Sequence, residues 1–146
     1  MKKLIIALCS TIAALSLTAA EADWQTDLPK AQAQAAKEKK LVLLDFTGSD
    51  WCGWCIKLHK EVFSQPAFAE YANANLVLVE VDFPTKKKLS AEQKQANDAL
   101  AKKYKIEGYP TIIVLNGEGK KVGELGYQPG GPKPFIEELE KLRKKG

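Results

Sequence analysis

Two cysteines separated by two residues, Cys52 and Cys55, have the spacing best suited to chemistry in this sequence. They follow a short loop and open a predicted helix. At the amino end of a helix, free N–H groups and the helix dipole stabilise an anion, so the first cysteine ionises more easily than a free thiol. Its thiolate can attack a disulfide, and a second thiol one helical turn away can resolve the mixed disulfide. We therefore predict dithiol–disulfide exchange, with Cys52 as nucleophile and Cys55 as resolving thiol.

A structural staple and a metal site are the competing uses of such a pair. A bridge that closes so short a loop restricts the unfolded chain little, so stability is a poor reason for it. A structural zinc ion needs four protein ligands, and after residue 22 the chain offers two cysteines and one histidine, His59. A copper(I) site made by both thiolates, with His59 assisting, stays open as an alternative. We expect no cofactor and no bound metal.

The first 22 residues have the pattern of an export signal. Two lysines precede an apolar stretch over residues 4–17, and small residues follow it. The stretch is shorter than the roughly 20 residues that a membrane-spanning helix needs. We predict a cleaved signal peptide at 1–22, a domain at 23–146 and a periplasmic or secreted location, with an uncleaved anchor as the alternative. Cys9 lies inside the apolar stretch and would leave with it.

Composition limits the classes of function. A chain of 146 residues, 45% of them hydrophobic, is enough for one domain with a real core. The net charge is +4, and it falls to +2 without the two lysines of the signal. This modest charge argues against nucleic-acid binding, which would need basic residues clustered on one face. The lysines at 37, 39, 40 and 86–88 are expected to lie on the solvated surface. Since no dimerisation region is recognisable, we expect a monomer.

Apolar periodicity predicts alternating helices and strands. Strands are predicted at 41–46, 76–81, 111–115 and 120–127. Helices are predicted at 28–40, from 52 onward with a pause at 64–65, at 90–104 and from 132 onward. The helix at 90–104 is expected to face the core with Ala96, Ala99, Leu100 and Tyr104. Helices between the early strands imply parallel crossovers, and the final hairpin implies an antiparallel edge. The fold class is therefore α/β, a central mixed sheet of about four strands with helices on both faces.

Two segments of the chain resemble the thioredoxin superfamily. LDFTGSDWCGWC resembles the active-site segment of thioredoxins, and the segment at 108–111 resembles their cis-proline loop. The resemblance extends over about residues 24–145. It implies the thioredoxin fold, a cis peptide bond at Pro110 beside the sulfurs, and backbone groups at Tyr109 that pair with an extended substrate. X–Pro bonds are the ones that become cis at tolerable cost, and a trans proline that starts a strand is the alternative.

The resemblance also assigns Asp45 to the buried acid that thioredoxins keep beneath the resolving cysteine, where it can shuttle a proton. Burial of an acid in an apolar strand would raise its pKa. The loop to Cys52 is one residue longer than in ordinary thioredoxins, so Phe46 is the alternative occupant of that position. An edge or capping role for Asp45 is a further alternative. Glu80 stands where thioredoxins tend to have a lysine, and if Asp45 and Glu80 approach one another, their titrations would couple.

The aromatic residues around the cysteines are further candidates for the site. Trp51 precedes the pair, and Gly53-Trp54 replaces the Gly-Pro of ordinary thioredoxins. Trp54 is expected to contact substrates or, alternatively, to pack over the helix start. A non-catalytic domain that holds an extended peptide with Trp54 and the loop of Tyr109 and Pro110 is a third functional alternative.

These departures make the chain similar to the thioredoxin-like domains of exported bacterial proteins, including the periplasmic domain of the transmembrane thiol reductase. With no positive or histidine residue between the cysteines, the pair is expected to be a reductant or an intermediate-potential exchanger rather than a strong oxidant. The implied partners are protein thiols and disulfides, and a redox partner protein that is free or membrane-bound.

Overall fold

The computed structural model describes residues 21–145, in which a five-stranded mixed sheet carries helices on both faces. The strands are β1 (Trp24–Gln25), β2 (Leu41–Thr47), β3 (Leu76–Asp82), β4 (Thr111–Leu115) and β5 (Lys121–Leu125). The helices are α1 (Leu28–Glu38), α2 (Gly53–Leu58), α3 (Pro66–Asn75), α4 (Ala91–Lys103) and α5 (Pro132–Arg143). A π-helical turn, His59–Phe63, continues α2. None of the helices in this part of the chain is long and apolar enough to cross a membrane.

The strand order is β1-β3-β2-β4-β5. Strands β1, β3 and β2 run parallel to one another, whereas β4 pairs antiparallel with β2, and β5 pairs antiparallel with β4. This arrangement confirms the predicted α/β fold with its parallel crossovers and terminal hairpin. The strand β1 was not predicted, because two residues are too few for any periodicity; Trp24 pairs with Leu78 at the edge of β3. The predicted signal peptide at 1–22 lies almost wholly outside the described residues.

The sheet has two apolar cores, because side chains alternate between the faces of each strand. One face of the sheet, here called the α2 face, is covered by α2, α3 and α5. Its largest fully buried side chains include Leu43, Leu58, Phe68 and Phe135. The opposite face, here called the α1 face, is covered by α1 and α4. Its buried side chains include Ala35, Leu44, Phe46 and Ile113.

The inward stripe predicted for α4 is partly wrong. Leu100 and Tyr104 pack against the α1 face as expected, but Ala96 and Ala99 are exposed and Asn97 is 2% exposed. The Asn97 side-chain amide donates a 2.8 Å hydrogen bond to the main-chain carbonyl of Asp82 at the end of β3. A buried carbonyl without a partner is costly, so the helix presents a polar side chain where apolar patterning favoured alanine.

Candidate active site

The two cysteines lie at the start of α2, where Cys52 is the amino-terminal cap. Its backbone is extended, and its sulfur accepts a hydrogen bond from the Cys55 N–H over 3.2 Å. A disulfide joins the two residues, whose Cα atoms are 5.2 Å apart. Cys52 is 7% exposed and Cys55 is 4% exposed, so the predicted resolving residue is the deeper one by a small margin. The sequence separation therefore places both sulfurs in bonding reach at a helix start.

The loop at 48–51, here called the cysteine loop, connects β2 to the disulfide. Gly48 is buried, and its carbonyl accepts hydrogen bonds from the N–H groups of Trp51 and Cys52. A Cβ atom on Gly48 would lie 2.4 Å from Cε2 of Trp51, so the indole packs directly on the glycine backbone. The Trp51 indole N–H also donates to the carbonyl of Phe83 over 2.7 Å. The side chain of Trp51, the residue before Cys52, is thus held between Gly48 and the loop that contains Phe83.

Asp45 lies on the α2 face of the sheet, and Phe46 lies on the α1 face. Phe46 packs there against Tyr104, with ring centroids 6.2 Å apart, so the alternative alignment puts Phe46 on the side away from α2. Asp45 is 8% exposed, and its Oδ1 has no hydrogen-bond partner among the described residues. Burial, with smaller contributions from the charges of Glu80 and Asp82, raises the pKa of Asp45 to about 8. Asp45 can therefore gain or lose a proton near neutral pH.

Asp45 and Glu80 lie side by side in the sheet. The two residues are register partners across β2 and β3, and Thr47 pairs with Asp82 two positions further on. Since alternate residues of a strand share a face, all three carboxyl groups lie on the α2 face. The resulting acidic row runs along the carboxyl ends of two parallel strands, close to the cysteine loop.

A set of polar contacts that sequence reasoning missed surrounds this acidic row. The N–H and hydroxyl of Ser49 donate to the Asp82 carboxylate over 2.9 and 2.6 Å. The Lys87 ammonium lies 3.1 Å from that carboxylate and 3.8 Å from the Glu80 carboxylate. A run of three lysines at 86–88 carries no local signal of pairing, so the sequence does not distinguish Lys87 from a solvated surface lysine.

The loop of Tyr109 and Pro110 reaches the cysteine loop through aromatic contacts. The Tyr109–Pro110 peptide bond is cis, as the resemblance implied. The ring of Tyr109 lies edge-on to Trp51, with centroids 5.9 Å apart, and 5.4 Å from the ring of Phe83. Trp51, predicted as a supporting residue, thus joins the proline loop to the disulfide.

Exposed apolar side chains flank the cysteines. Among the described residues, the large hydrophobic side chains that are exposed are those of Trp51, Trp54 and Ile56, and Trp54 is 57% exposed. The Trp54 ring lies 5.0 Å from that of Tyr127, and the Lys57 ammonium lies 5.2 Å from both ring centroids. We call Trp54, Lys57 and Tyr127 the aromatic platform. Gly53 is exposed between the cysteines and has open space where a Cβ would stand.

His59 does not join the cysteines in a metal site. It begins the π-helical turn and lines a pocket of about 240 Å³ together with Trp24 and Phe63, near the β1 edge. Within residues 21–145 no three His, Cys, Asp or Glu side chains are grouped so as to hold a metal ion. In this part of the chain, a copper(I) ion bound by both thiolates would therefore have no third ligand from a His, Cys, Asp or Glu side chain.

Comparison with known proteins bears directly on this site. A family model for thioredoxin-like domains matches residues 28–143. The disulfide bond reductase DsbH of Chlamydia pneumoniae is 34% identical over 128 residues, which make up 88% of this chain and 76% of that protein. A solved structure of a DsbH oxidoreductase superposes with a TM-score of 0.81 at 34% identity and covers 86% of both chains.

A second solved structure extends the comparison. The reduced carboxyl-terminal domain of DsbD from Neisseria meningitidis superposes with a TM-score of 0.60 at 26% identity. The match covers 79% of this chain and 93% of that domain. The chain therefore belongs to the thioredoxin-like domain family, and it is a thiol-disulfide oxidoreductase.

Proposed function

We propose that this chain is an exported reductase of protein disulfides, with Cys52 as nucleophile and Cys55 as resolving thiol. The observation that carries the proposal is the disulfide at the start of α2, where the Cys52 sulfur accepts the Cys55 N–H. A helix start favours sulfur as an anion, which activates Cys52 as the nucleophile. No positive or histidine residue lies between the cysteines to stabilise the thiolate further, and the similarity to a protein named as a disulfide bond reductase supports reduction as the direction of electron flow.

The reaction begins from the reduced pair. The Cys52 thiolate attacks one sulfur of a substrate disulfide, so the substrate S–S bond breaks, one substrate thiolate leaves, and a mixed disulfide forms. Cys55 then loses its proton and attacks the Cys52 sulfur, which releases the second substrate thiolate. Two electrons have passed to the substrate, and the Cys52–Cys55 disulfide remains. A dithiol of a redox partner protein must reduce it again.

Asp45 is proposed as the acceptor of the Cys55 proton. It lies on the α2 face, where Cys55 and Leu58 are the buried residues of α2. A carboxyl group whose pKa is about 8 can take up and return a proton near neutral pH, whereas an ordinary aspartate would stay ionised. The aromatic platform and the loop of Tyr109 and Pro110 are proposed to contact the substrate chain on either side of Cys52.

Trapping of mixed disulfides tests the roles of the two cysteines. Cys55→Ala should accumulate mixed disulfides with substrate proteins, because the attacking thiol remains and the resolving thiol is gone. Cys52→Ala should accumulate none, and the double Cys52→Ser, Cys55→Ser variant serves as the matched control. Equal trapping by both single variants would contradict the assignment. Biological activity retained by the double variant would favour a peptide-binding domain instead.

The reduction potential of the pair tests the direction. A value near that of thioredoxin, about −270 mV, supports a reductant, whereas a value near −120 mV would make the protein an oxidant. Anaerobic copper(I) titration of the reduced protein checks the metal alternative, since tight stoichiometric binding without disulfide exchange would replace the proposal.

Export and assembly complete the proposal. We propose that residues 1–22 direct the chain to the periplasm and are removed, and that the mature protein is a monomer. The mass of the protein recovered from the periplasmic fraction should correspond to a chain without the signal, and light scattering should give the mass of one chain. A full-length mass in the membrane fraction would indicate a retained anchor.

A further inference from the structure

The cysteine loop is held by the segment at 83–89 that follows β3, here called the lysine loop. The Asp50 carboxylate accepts hydrogen bonds from the backbone N–H groups of Thr85, Lys86 and Lys87 over 2.9, 2.7 and 3.0 Å. These three donors, with the Thr85 hydroxyl, hold the pKa of Asp50 far below its ordinary value. The Trp51 indole bond to the Phe83 carbonyl ties the same two loops together. One carboxylate in the cysteine loop therefore orders the backbone that carries Lys87.

Lys87 supplies a positive charge to the acidic row. Its ammonium is 3.1 Å from Oδ2 of Asp82 and 3.8 Å from Oε1 of Glu80. Glu80 lies directly across from Asp45 in the β2–β3 register. The negative charges of Glu80 and Asp82 both contribute to the raised pKa of Asp45. The ion pair with Asp82 is the main cause of the raised pKa of Lys87 itself.

Two elements beside Asp45 present uncharged residues to it. On the opposite side of β2, Asp45 pairs with Ile112 of β4. The buried residues of α2, which covers this face, are Cys55 and Leu58. Within residues 21–145, Lys87 is thus the cation that pairs with the carboxylates facing Asp45.

We propose that Lys87 is a positioning residue for disulfide exchange: its ammonium balances the carboxylates beside Asp45 and so controls how readily Asp45 takes up the Cys55 proton. The inference rests on the proposed function, in which Asp45 is that proton acceptor. Without Lys87, the charges of Glu80 and Asp82 act on Asp45 uncompensated. Like charges disfavour the ionised form of an acid, so Asp45 would then hold its proton more tightly.

The test is a pH titration of the Asp45 side-chain carboxyl by carbon-13 NMR in the oxidised protein. Lys87→Ala should raise the Asp45 pKa by roughly half a pH unit, a threefold change in proton binding, as expected for one charge lost at several ångströms under strong screening. Lys87→Arg should leave the Asp45 pKa at its wild-type value, because arginine keeps the positive charge. Lys88→Ala is the matched control, because it removes a cation from the same loop. Within residues 21–145 the Lys88 side chain makes no ion pair. Equal titrations of Lys87→Ala and Lys88→Ala would overturn the proposal.

A kinetic measurement separates this inference from the proposed function. The rate at which Cys55 resolves a preformed mixed disulfide is followed against pH in the same variants. The midpoint of the profile should move upward in Lys87→Ala together with the Asp45 pKa. A shifted pKa with an unchanged profile would overturn both the control by Lys87 and the role of Asp45 as proton acceptor. Trapping by Cys55→Ala would still stand, so the exchange reaction itself would survive.

Discussion

Replacing Asp45 by asparagine should make the stability of the oxidised protein far less dependent on pH. Asp45 is buried, and its pKa is raised from 3.8 to about 8, mainly by loss of solvation. An acid whose folded pKa lies above its unfolded pKa stabilises the fold fully below the unfolded value, and this stability declines as pH rises through the folded value. Asparagine resembles the protonated acid in size and cannot ionise, so the decline should vanish.

The size of the effect follows from the pKa shift. Between the unfolded pKa of 3.8 and pH 7 the folded protein keeps a proton that the unfolded chain releases. The interval is about 3 pH units, and each unit costs about 1.4 kcal/mol, so the penalty reaches about 4 kcal/mol at pH 7. Near pH 4, where the unfolded acid is about half protonated, Asp45→Asn and wild type should differ by less than about 1 kcal/mol.

Urea unfolding of the oxidised protein at several pH values between 4 and 8 measures this difference. The free energy of unfolding of Asp45→Asn should exceed that of wild type by an amount that grows with pH. Asp98→Asn, which removes an exposed carboxylate on α4, is the control and should run parallel to wild type. A constant difference between Asp45→Asn and wild type across this range would refute the argument that Asp45 is buried with a raised pKa.

Three further substitutions test other parts of the site. Gly48→Ala should lower the free energy of unfolding by about 1–3 kcal/mol in urea titrations, because the new Cβ would stand 2.4 Å from the Trp51 ring; an unchanged midpoint would contradict this packing. Trp54→Ala should lower kcat/KM for protein disulfides about tenfold and leave the reduction of a small aromatic disulfide unchanged, because only a protein substrate extends across the aromatic platform. Equal losses of kcat/KM on both substrates would argue against contact between Trp54 and the substrate. Asp50→Asn should speed amide hydrogen exchange at residues 85–87, because the N–H groups of these residues donate hydrogen bonds to the Asp50 carboxylate. Unaltered exchange at these residues would show that the lysine loop is ordered by other contacts.

Local residue patterns were sufficient to predict the main strands, the helix that begins after Cys52 and the break at 64–65. Continuous apolar runs predict strands buried on both faces, and β2 and β3 have almost no exposed residue. The spacing of the cysteines is a local property too, because one helical turn separates residues that bond across it. The position of Asp45 on the α2 face follows from alternation along β2 once the register with β3 is known.

Contacts between segments distant in sequence could be decided only by the tertiary structure. Asp50 and Lys87 are 37 residues apart, and Trp54 is 73 residues from Tyr127, so no periodicity connects them. Whether a lysine is solvated or paired depends on which carboxylates the strand register brings beside it, and a run of lysines has the same local pattern in either case. The sequence by itself therefore determined the redox pair and the α/β fold, whereas the charges around the buried acid were decided by the packing of two loops at the carboxyl ends of β2 and β3.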